Sequence, residues 1–292
     1  MPKILTVSSK LVKDLSVPRI ASSKKGDNGI VLVVGGSTIY HGAPLLASMA
    51  ALRSGTDLVY TAIPRSNIVP VRSASANIIA LPLPDGKLTV GSANKILSTT
   101  PKKPDTAAIG MGMSIAKPEA LLALIRGLKS DGIKLLLDAS ALIPEVLQEI
   151  SGTGTIVTPH PGEYKRIFGE DAGVSEEERI SNMDRLSKKY GIIIILKGST
   201  NLVSSCADED GHIAVIKRST SAMTVGGTGD VLSGLTAGLL TKLKPFDASI
   251  LGLYFNGLAA SLAYKRVGLH LVATDLIDEL PNAMKPFDKI KY

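Results

Sequence analysis

Residues 224–234 read Thr-Val-Gly-Gly-Thr-Gly-Asp-Val-Leu-Ser-Gly, which places three glycines within four residues directly before Asp230 and an apolar helical pattern. Glycine lets the backbone turn tightly and bring its N–H groups close to a ligand, and the first turn of a helix adds unpaired N–H groups. This loop therefore suits a phosphate group. The Asp230 carboxylate can accept a proton from a hydroxyl group that attacks the phosphorus, or it can simply cap a helix in a glycine-rich turn.

Around this stretch, apolar runs of strand length alternate with helical patterns, which is typical of a parallel sheet with crossover helices. The predicted parallel strands are 30–34, 58–63, 106–109, 133–137, 156–157 and 192–196. The predicted antiparallel hairpin comprises 201–204 and 212–216. The predicted helices are 43–53, 119–129, 164–168, 231–242, 247–266 and 274–281. We find no internal repeat or linker, and we predict one α/β domain over residues 1–292, with a mostly parallel sheet flanked by helices on both faces.

Glycine-rich or polar residues follow five of the predicted parallel strands. They are Gly35-Gly36, Gly110-Met111-Gly112, Asp138, His160 and Lys197-Gly198. Open α/β sheets bind ligands at the edge formed by the carboxyl ends of their strands, so we expect these five segments to line one cleft. Each one taken singly is equally compatible with an ordinary loop.

The composition is that of a globular protein, with 292 residues, 45% hydrophobic and 20% charged. A formal net charge of +7 invites a nucleic-acid interpretation, but the basic residues are dispersed and aromatic residues make up only 4% of the chain. We therefore expect no nucleic-acid partner. The single cysteine, Cys206, excludes an internal disulfide and fits a reducing compartment. We see neither a signal peptide nor a segment long enough to span a bilayer, and we expect a cytoplasmic protein without a membrane partner.

Three side chains at the predicted cleft have more than one interpretation. Lys197 can extend into solvent, or it can hold a nucleotide phosphate together with the small residues after it. His160 lies between two prolines, so its ring is well placed either to bind a substrate or to order the loop. Glu163 is best explained as an acidic residue in the first turn of a helix, although it can also organise Mg²⁺ through water.

Several enzyme classes lack their motifs in this chain. There is no P-loop, no complete Rossmann glycine pattern, no Gly-x-Ser-x-Gly elbow and no His-Glu-x-x-His helix. With only four histidines and one cysteine, a transition-metal site is not expected.

The glycine-rich stretch near the C-terminus, after a parallel α/β body, resembles the ribokinase-like superfamily. Within that superfamily, motifs over roughly residues 20 to 282 are similar to those of the ADP/ATP-dependent NAD(P)H-hydrate dehydratases. The most specific are Thr-Pro-His-Pro-Gly-Glu at 158–163 and Gly-Gly-Thr-Gly-Asp at 226–230. The others lie at 25–29, 33–37, 42–43, 51–55, 196–198 and 273–276.

This resemblance implies a repair enzyme that restores NADH or NADPH from the S-form of their hydrates, NADHX and NADPHX. The nucleotide, ADP or ATP with Mg²⁺, phosphorylates the ring hydroxyl, and the phosphate then leaves. Asp230 would be the catalytic base, and the residues that contact the hydrate would be Ala43, Gly112, His160 and Asp230. The nucleotide would be held by Lys197, Gly198, Ser199, Thr200, Asn201, Gly226, Gly227, Thr228 and Gly229. The family also suggests a homo-oligomer, with a tetramer as one form.

The chain departs from the family pattern in three places. Residues 110–114 lack the proline and last glycine of Gly-Pro-Gly-Leu-Gly, residues 138–142 lose the second carboxylate of Asp-Ala-Asp-Ala-Leu, and Ser-Thr-Ser at 219–221 replaces a Gly-Asn pair. About two dozen residues precede Lys25, so we expect no N-terminal epimerase domain.

Two rival functions remain open from the sequence. One is a ribokinase-like kinase that phosphorylates a vitamin-precursor alcohol and releases a stable phosphate ester. The other is a nucleotide-binding regulator without catalysis, which the intact Asp230 disfavours.

Overall fold

A mixed sheet of ten strands forms the centre of the molecule. The structure, a computed structural model, describes residues 2–206, 212–217 and 220–292. Within these residues the strands are β1 (Lys3–Thr6), β2 (Arg19–Ile20), β3 (Ile30–Val34), β4 (Leu58–Pro64), β5 (Ile79–Leu83), β6 (Thr106–Ile109), β7 (Lys134–Leu137), β8 (Ile156–Val157), β9 (Ile193–Leu196), β10 (Asn201–Ser204), β11 (His212–Ile216) and β12 (Ile290–Lys291).

The strand order in the ten-stranded sheet is β1-β11-β10-β9-β8-β7-β6-β3-β4-β5. Only β10 runs antiparallel to its neighbours; the other described pairings in this sheet are parallel. Strands β2 and β12 form a separate two-stranded parallel sheet. The mostly parallel sheet and the antiparallel hairpin β10–β11 are confirmed.

Helices cover both faces of this sheet. They are α1 (Ser9–Leu15), α2 (Gly42–Arg53), α3 (Ile68–Ala74), α4 (Val90–Thr99), α5 (Pro118–Ser130), α6 (Val146–Ile150), α7 (Pro161–Phe168), α8 (Glu176–Tyr190), α9 (Thr228–Leu240), α10 (Pro245–Val267) and α11 (Ala273–Met284). Strand β3 shows the layering, because Leu32 packs in the core under α5 while Val31 and Val33 pack in the core under α2 and α9. A strand buried on both faces has this continuous apolar sequence.

Most predicted elements lie within one or two residues of their observed bounds, but α7 and α9 each begin three residues earlier than predicted and α11 ends three residues later. Strand β5 and helix α8 are among the elements that the sequence analysis did not predict. Helix α9 begins at Thr228 rather than 231, because Gly227 adopts φ 95° at the N-cap position. Strand β5 contains Pro82 and lies at the sheet edge, where the missing N–H is tolerated. Helix α8 is mostly polar, and its ends are marked by a Ser175 capping box and by Gly191 rather than by an apolar stripe.

The expectation that no segment is long enough to span a bilayer is wrong. Among the described residues, the helical stretch Pro245–His270 is long and apolar enough to cross a membrane by length and composition alone. Its most apolar window is 72% buried inside the fold, where α10 packs against α9 and α11. A helix that is apolar on all sides is also typical of a protein core.

The motif at residues 25–29 is organised by Asp57, at the amino ends of the strands. The Asp57 carboxylate accepts hydrogen bonds from the backbone N–H groups of Gly26 (2.8 Å) and Asn28 (3.0 Å) and pairs with Arg19 at 2.8 Å. Burial raises the pKa of Asp57, but the N–H donors and Arg19 outweigh burial and hold it below its ordinary value. The motif is therefore structural, and it lies at the edge of the sheet opposite the predicted cleft.

We expect Asp57→Asn to lower the free energy of unfolding by about 2 kcal/mol at pH 7, because hydrogen bonds to a charged acceptor are lost. The folded-state pKa is depressed, so this stabilisation is present above the unfolded pKa and is lost as pH falls through the folded one. Urea unfolding of both proteins at pH 7 and pH 3 measures the effect. An equal difference at the two pH values would contradict the role of the Asp57 charge.

Candidate active site

The five polar strand ends meet along one edge of the sheet, as predicted. Strands β9, β8, β7, β6 and β3 are consecutive neighbours and parallel, so their carboxyl ends lie side by side. Gly36 donates a backbone hydrogen bond to Met111 O at 2.9 Å, and Lys197 donates one to Pro159 O at 2.9 Å. These contacts join neighbouring strand ends into one continuous rim.

The glycine-rich loop ends directly at the first turn of α9. Gly227 is the N-cap, and the first N–H with an acceptor in the helix is that of Val231, which donates to Gly227 O at 3.0 Å. The Thr228 hydroxyl donates to Met223 O (3.1 Å) and Val225 O (3.3 Å), which closes the loop. Within the described residues the other N–H groups of this first turn have no acceptor, so they suit an external anion. Anion binding at this turn stays a prediction. We refer to residues 226–229 as the anion loop.

Lys197 does not extend into solvent. Its ammonium lies 2.9 Å from Asp138 Oδ1 and 3.6 Å from Glu163 Oε2, and its side chain is 20% exposed. A Cβ placed on Gly229 would be 3.5 Å from Lys197 Nζ, so the ammonium lies beside the anion loop. The interpretation as a nucleotide-facing group therefore fits the geometry, and the solvent-exposed alternative does not.

Asp138 is buried behind Lys197 and is ionised. Burial alone would raise the pKa of Asp138, but the Lys197 ammonium and the Ser233 hydroxyl hold it below its ordinary value. The Ser233 hydroxyl donates to Asp138 Oδ2 at 2.7 Å. Burial likewise disfavours the charged form of Lys197, but the surrounding carboxylates, Asp138 first, raise its pKa.

Asp230 has a strongly perturbed carboxyl group in the cleft. It is the third residue of α9 and follows the anion loop directly. Burial raises the pKa of Asp230 to about 7, the negative charges of Asp138 and Glu163 add to this shift, and Lys197 opposes it. A carboxylate that titrates near neutral pH beside an anion site has the properties of a general base.

His160 and Glu163 cap helix α7 reciprocally. Nδ1 of His160 accepts from the N–H groups of Gly162 (3.0 Å) and Glu163 (3.3 Å), and Glu163 Oε2 accepts from the His160 N–H at 2.9 Å. The helix interpretation of Glu163 is confirmed, as is a loop-ordering role for His160. Because Nδ1 is an acceptor here, a neutral ring carries its proton on Nε2. The His160 side chain is 55% exposed, and its Nε2 lies 3.5 Å from Glu163 Oε1. Contact of His160 with a substrate stays a prediction.

Ala43 and Gly112 are neighbours at the cleft. A Cβ placed on Gly112 would lie 3.0 Å from Ala43 Cβ and 2.9 Å from Tyr40 Cβ, so a side chain at position 112 would crowd both. Gly112 also adopts φ 61°, which favours glycine. The structure thus brings these two predicted substrate residues together, and their contact with substrate remains a prediction.

The second predicted nucleotide loop, residues 197–201, turns back on itself. Gly198 N donates to Asn201 Oδ1 at 3.2 Å, which uses the Asn201 side chain inside the loop. Of the Ser-Thr-Ser departure, Ser219 lies outside the described residues, and Thr220 caps the short helix Ser221–Thr224 by accepting from Ala222 N at 3.0 Å. Roles of Ser199 and Thr200 toward a nucleotide stay predictions.

The carboxylates of the site fit Mg²⁺ only in company with a nucleotide. Among the residues that the structure describes, no group of three or more His, Cys, Asp or Glu side chains can hold a metal ion alone. Mg²⁺ usually takes one or two protein carboxylates and completes its shell with waters and substrate phosphates. The carboxylates of Asp138, Glu163 and Asp230 all raise the pKa of Lys197, and this concentration of negative charge suits a cation bound together with a nucleotide.

Sequence reasoning missed the roles of Asp138 and Ser233 in this site. The sequence places Asp138 at a polar strand end and at the start of the altered Asp-Ala-Asp-Ala-Leu pattern, and Ser233 in the glycine-rich stretch, but it predicts no partner for either. The available signal was a lone aspartate at the end of an apolar strand, opposite a lysine at the end of another one. Strand order, which decides that β7 and β9 flank β8, is not readable from such short strands.

This architecture, with an anion loop at a helix start on the carboxyl edge of the sheet, defines a ribokinase-like α/β protein. A ribokinase-like superfamily protein from Enterococcus faecalis has the same fold, with a TM-score of 0.79, 22% identity and coverage of 98% of this chain and 97% of the other. The ADP/ATP-dependent NAD(P)H-hydrate dehydratase from Bacillus subtilis, co-crystallised with ATP and Mg²⁺, matches with a TM-score of 0.82 and 25% identity over 96% of this chain and 98% of the other.

A family model described as NAD(P)H-hydrate dehydratase matches residues 31–282. The ADP-dependent (S)-NAD(P)H-hydrate dehydratase from Nitrosopumilus maritimus is 50% identical over 286 residues, which cover 98% of each chain. The chain belongs to the NAD(P)H-hydrate dehydratase family.

Proposed function

We propose that this protein is an ADP-dependent (S)-NAD(P)H-hydrate dehydratase, which converts NADHX and NADPHX back to NADH and NADPH. The observation that carries the proposal is the position of Asp230: its carboxyl group, with a pKa of about 7, lies in the first turn of α9 directly after the anion loop. Two relatives that match nearly the whole chain are named ADP-dependent (S)-NAD(P)H-hydrate dehydratases. These names support the same activity and do not favour the kinase alternative.

The reaction follows from this geometry in two steps. Asp230 accepts the proton of the ring hydroxyl as the hydroxyl oxygen bonds to the terminal phosphorus of the nucleotide, and the bond between that phosphorus and its bridging oxygen breaks. With ADP as donor, AMP leaves. The ring nitrogen then donates its electron pair, the carbon–oxygen bond breaks, inorganic phosphate leaves, and loss of a proton from the adjacent ring carbon restores the dihydropyridine.

The residues around Asp230 stabilise the charge on the phosphoryl group during transfer. The N–H groups of the anion loop and the Lys197 ammonium can donate to its oxygens. Mg²⁺, when bound, supplies further positive charge, and Glu163 is the residue we propose to hold it through water. We propose that Ala43, Gly112 and His160 contact the hydrate on the neighbouring strand ends.

The test of this function is the recovery of the absorbance of the reduced nicotinamide from purified NADHX, with Mg²⁺ and separately with ADP, ATP or no nucleotide. We expect recovery with ADP, and release of one AMP and one phosphate for each NADH formed. Consumption of nucleotide without NADH recovery would contradict the dehydratase and favour the kinase alternative.

The pH dependence of kcat/KM is a second expected result. Because the folded pKa of Asp230 is raised to about 7, the basic form required for proton transfer is lost as pH falls through that value. We expect kcat/KM for NADHX to fall about tenfold for each pH unit below about 7, and to be flat above it on this limb. Initial rates between pH 5.5 and 8.5, in steps of about half a unit, measure the profile. A constant rate down to the lowest pH would contradict the assignment of the base.

We also propose that the catalytic unit is a single domain, that it works as a homo-oligomer, and that it acts in the cytoplasm. The lone Cys206 supports the last point, because a protein of a reducing compartment has no need of disulfides. Light scattering of the purified protein tests the oligomeric state.

A further inference from the structure

We propose that Asp138 is a positioning residue of the phosphoryl-transfer site: fixed by Ser233, its carboxylate holds the Lys197 ammonium beside the anion loop, where the transferred phosphoryl group binds. The inference rests on the proposed function, since it assigns the transferred group to this loop. Asp138 itself is 2% exposed and lies behind Lys197, so it acts through that lysine.

The contacts of Asp138 use both of its oxygens in different directions. Oδ1 lies 2.9 Å from Lys197 Nζ, and Oδ2 accepts from Ser233 Oγ at 2.7 Å. Ser233 is three residues after Asp230 on the same helix, so the hydrogen bond ties the Asp138 carboxylate to the helix that carries the base. These two contacts fix the position of Lys197 relative to α9. As a result, the Lys197 ammonium lies beside Gly229 of the anion loop.

The backbone that carries Asp138 is held in a strained conformation by its neighbours. Ala139 adopts φ 48°, the one non-glycine residue with positive φ in the described part of the chain. Arg166 of α7 donates to Ala139 O and, at 2.8 Å, to Leu142 O. A Cβ on Gly110 would lie 1.9 Å from Asp138 O, so β6 packs directly against this turn. Strain that is fixed from two sides is typical of residues whose position matters for function.

Lys197 has a second carboxylate available if Asp138 loses its charge. Glu163 Oε2 lies 3.6 Å from Lys197 Nζ, on the side of helix α7. An amide at position 138 keeps the size of the side chain but removes the attraction for the ammonium. We therefore expect Lys197 to move toward Glu163 in Asp138→Asn and to lose its place beside the anion loop.

A double-mutant cycle tests this coupling. We expect Asp138→Asn to lower kcat about 30-fold and Lys197→Met about 100-fold, with KM for NADHX changed less than about threefold in each. The double variant should be no slower than Lys197→Met alone, because Asp138 has no function once its partner is gone. Multiplying losses in the double variant would overturn the proposal.

The pH profile separates positioning from a merely structural role. The negative charge of Asp138 raises the pKa of Asp230 by more than Lys197 lowers it. Asp138→Asn should therefore move the acidic limb of kcat/KM to lower pH even when Lys197 turns toward Glu163. Ser233→Ala removes one hydrogen bond and no charge. It should lower kcat less than Asp138→Asn does and leave the acidic limb of kcat/KM at the wild-type pH. An unmoved limb in Asp138→Asn, or a raised Mg²⁺ requirement with unchanged kcat at saturating Mg²⁺, would overturn the inference.

Folding and function are controlled separately. Asp57→Asn is the matched control, because it makes the same change at the opposite edge of the sheet, and it should alter neither kcat nor the limb. If Asp138→Asn fails to fold, two variants still give the comparison with Lys197→Met. They are the double variant, which removes the buried Asp138 carboxylate together with its ammonium partner, and Ser233→Ala. If the wild-type protein does not restore NADH, the proposed function fails. The inference is then judged by calorimetry with ADP: equal loss of affinity in Lys197→Met and the double variant supports it, and a larger loss in the double variant overturns it.

Discussion

Asp230→Asn is expected to lose nearly all turnover of NADHX while binding ADP as tightly as the wild-type protein. General-base catalysis contributes on the order of 10²–10⁴ in rate, and an amide cannot accept the hydroxyl proton, so we expect kcat to fall by about 10³. The anion loop donates its backbone N–H groups, which the substitution leaves unchanged. NADH recovery gives kcat, and titration calorimetry gives the Kd for ADP.

The same substitution has a second signature in stability. The folded pKa of Asp230, about 7, lies above its ordinary value of 3.8, so the folded state binds a proton that the unfolded state releases, and stability falls as pH rises between these values. Asp230→Asn removes this effect. We expect the variant to melt at a higher temperature than the wild-type protein at pH 8, with a smaller difference at pH 5.

Asp247 provides a matched control for this pair of results. Burial also raises the pKa of Asp247, but it lies in the first turn of α10, next to Lys244, and not on the polar edge of the sheet. Asp247→Asn should keep wild-type turnover. If Asp230→Asn kept turnover as well, or if it melted below the wild-type protein at pH 8, our assignment of Asp230 as a buried carboxylate that acts as the base would be wrong.

The elements of the fold were predictable where the sequence shows one clear pattern, such as a continuous apolar strand. The strand Ile30–Val34 is apolar throughout and buried on both faces, and its predicted bounds are those observed. The elements that were missed have weak patterns for identifiable reasons. Strand β1 is largely exposed at the sheet edge, and β5 contains a proline. In both cases the sheet, rather than the local sequence, makes the segment a strand.

The sequence predicts which segments line the site, but it does not predict which charged side chains pair there or how they titrate. Parallel strand ends must meet at one edge, which is why Lys197 and Asp230 were both expected at the cleft. Which carboxylate pairs with Lys197 depends on strand order and on the strained turn at Ala139, and neither has a local sequence signal. Burial then decides the protonation behaviour of Asp230, since the pKa of a carboxyl group is set by surroundings from distant parts of the chain.

The second large effect is expected in the packing of α2 against α9, which sets the distance between the predicted substrate and base residues. A Cβ on Gly234 would lie 1.9 Å from Ala47 O, and one on Gly238 would lie 2.0 Å from Ser54 Oγ. These two glycines, four residues apart, lie on the same face of α9 and allow the backbones to approach closely. Helix α2 carries Ala43 near its start, and α9 carries Asp230.

We expect Gly234→Ala to lower the free energy of unfolding by about 3 kcal/mol, because the added methyl group meets a backbone carbonyl that can move only with its helix. Gly91→Ala is the matched control: its Cβ would meet nothing closer than Thr89 Oγ1 at 3.7 Å, so the change should stabilise α4 by about 0.5 kcal/mol or more. Urea unfolding followed by circular dichroism measures both. Because separation of α2 from α9 would also move Ala43 away from Asp230, KM for NADHX should rise in Gly234→Ala and stay constant in Gly91→Ala. Equal stability of the two variants would show that the helices do not pack as closely as described.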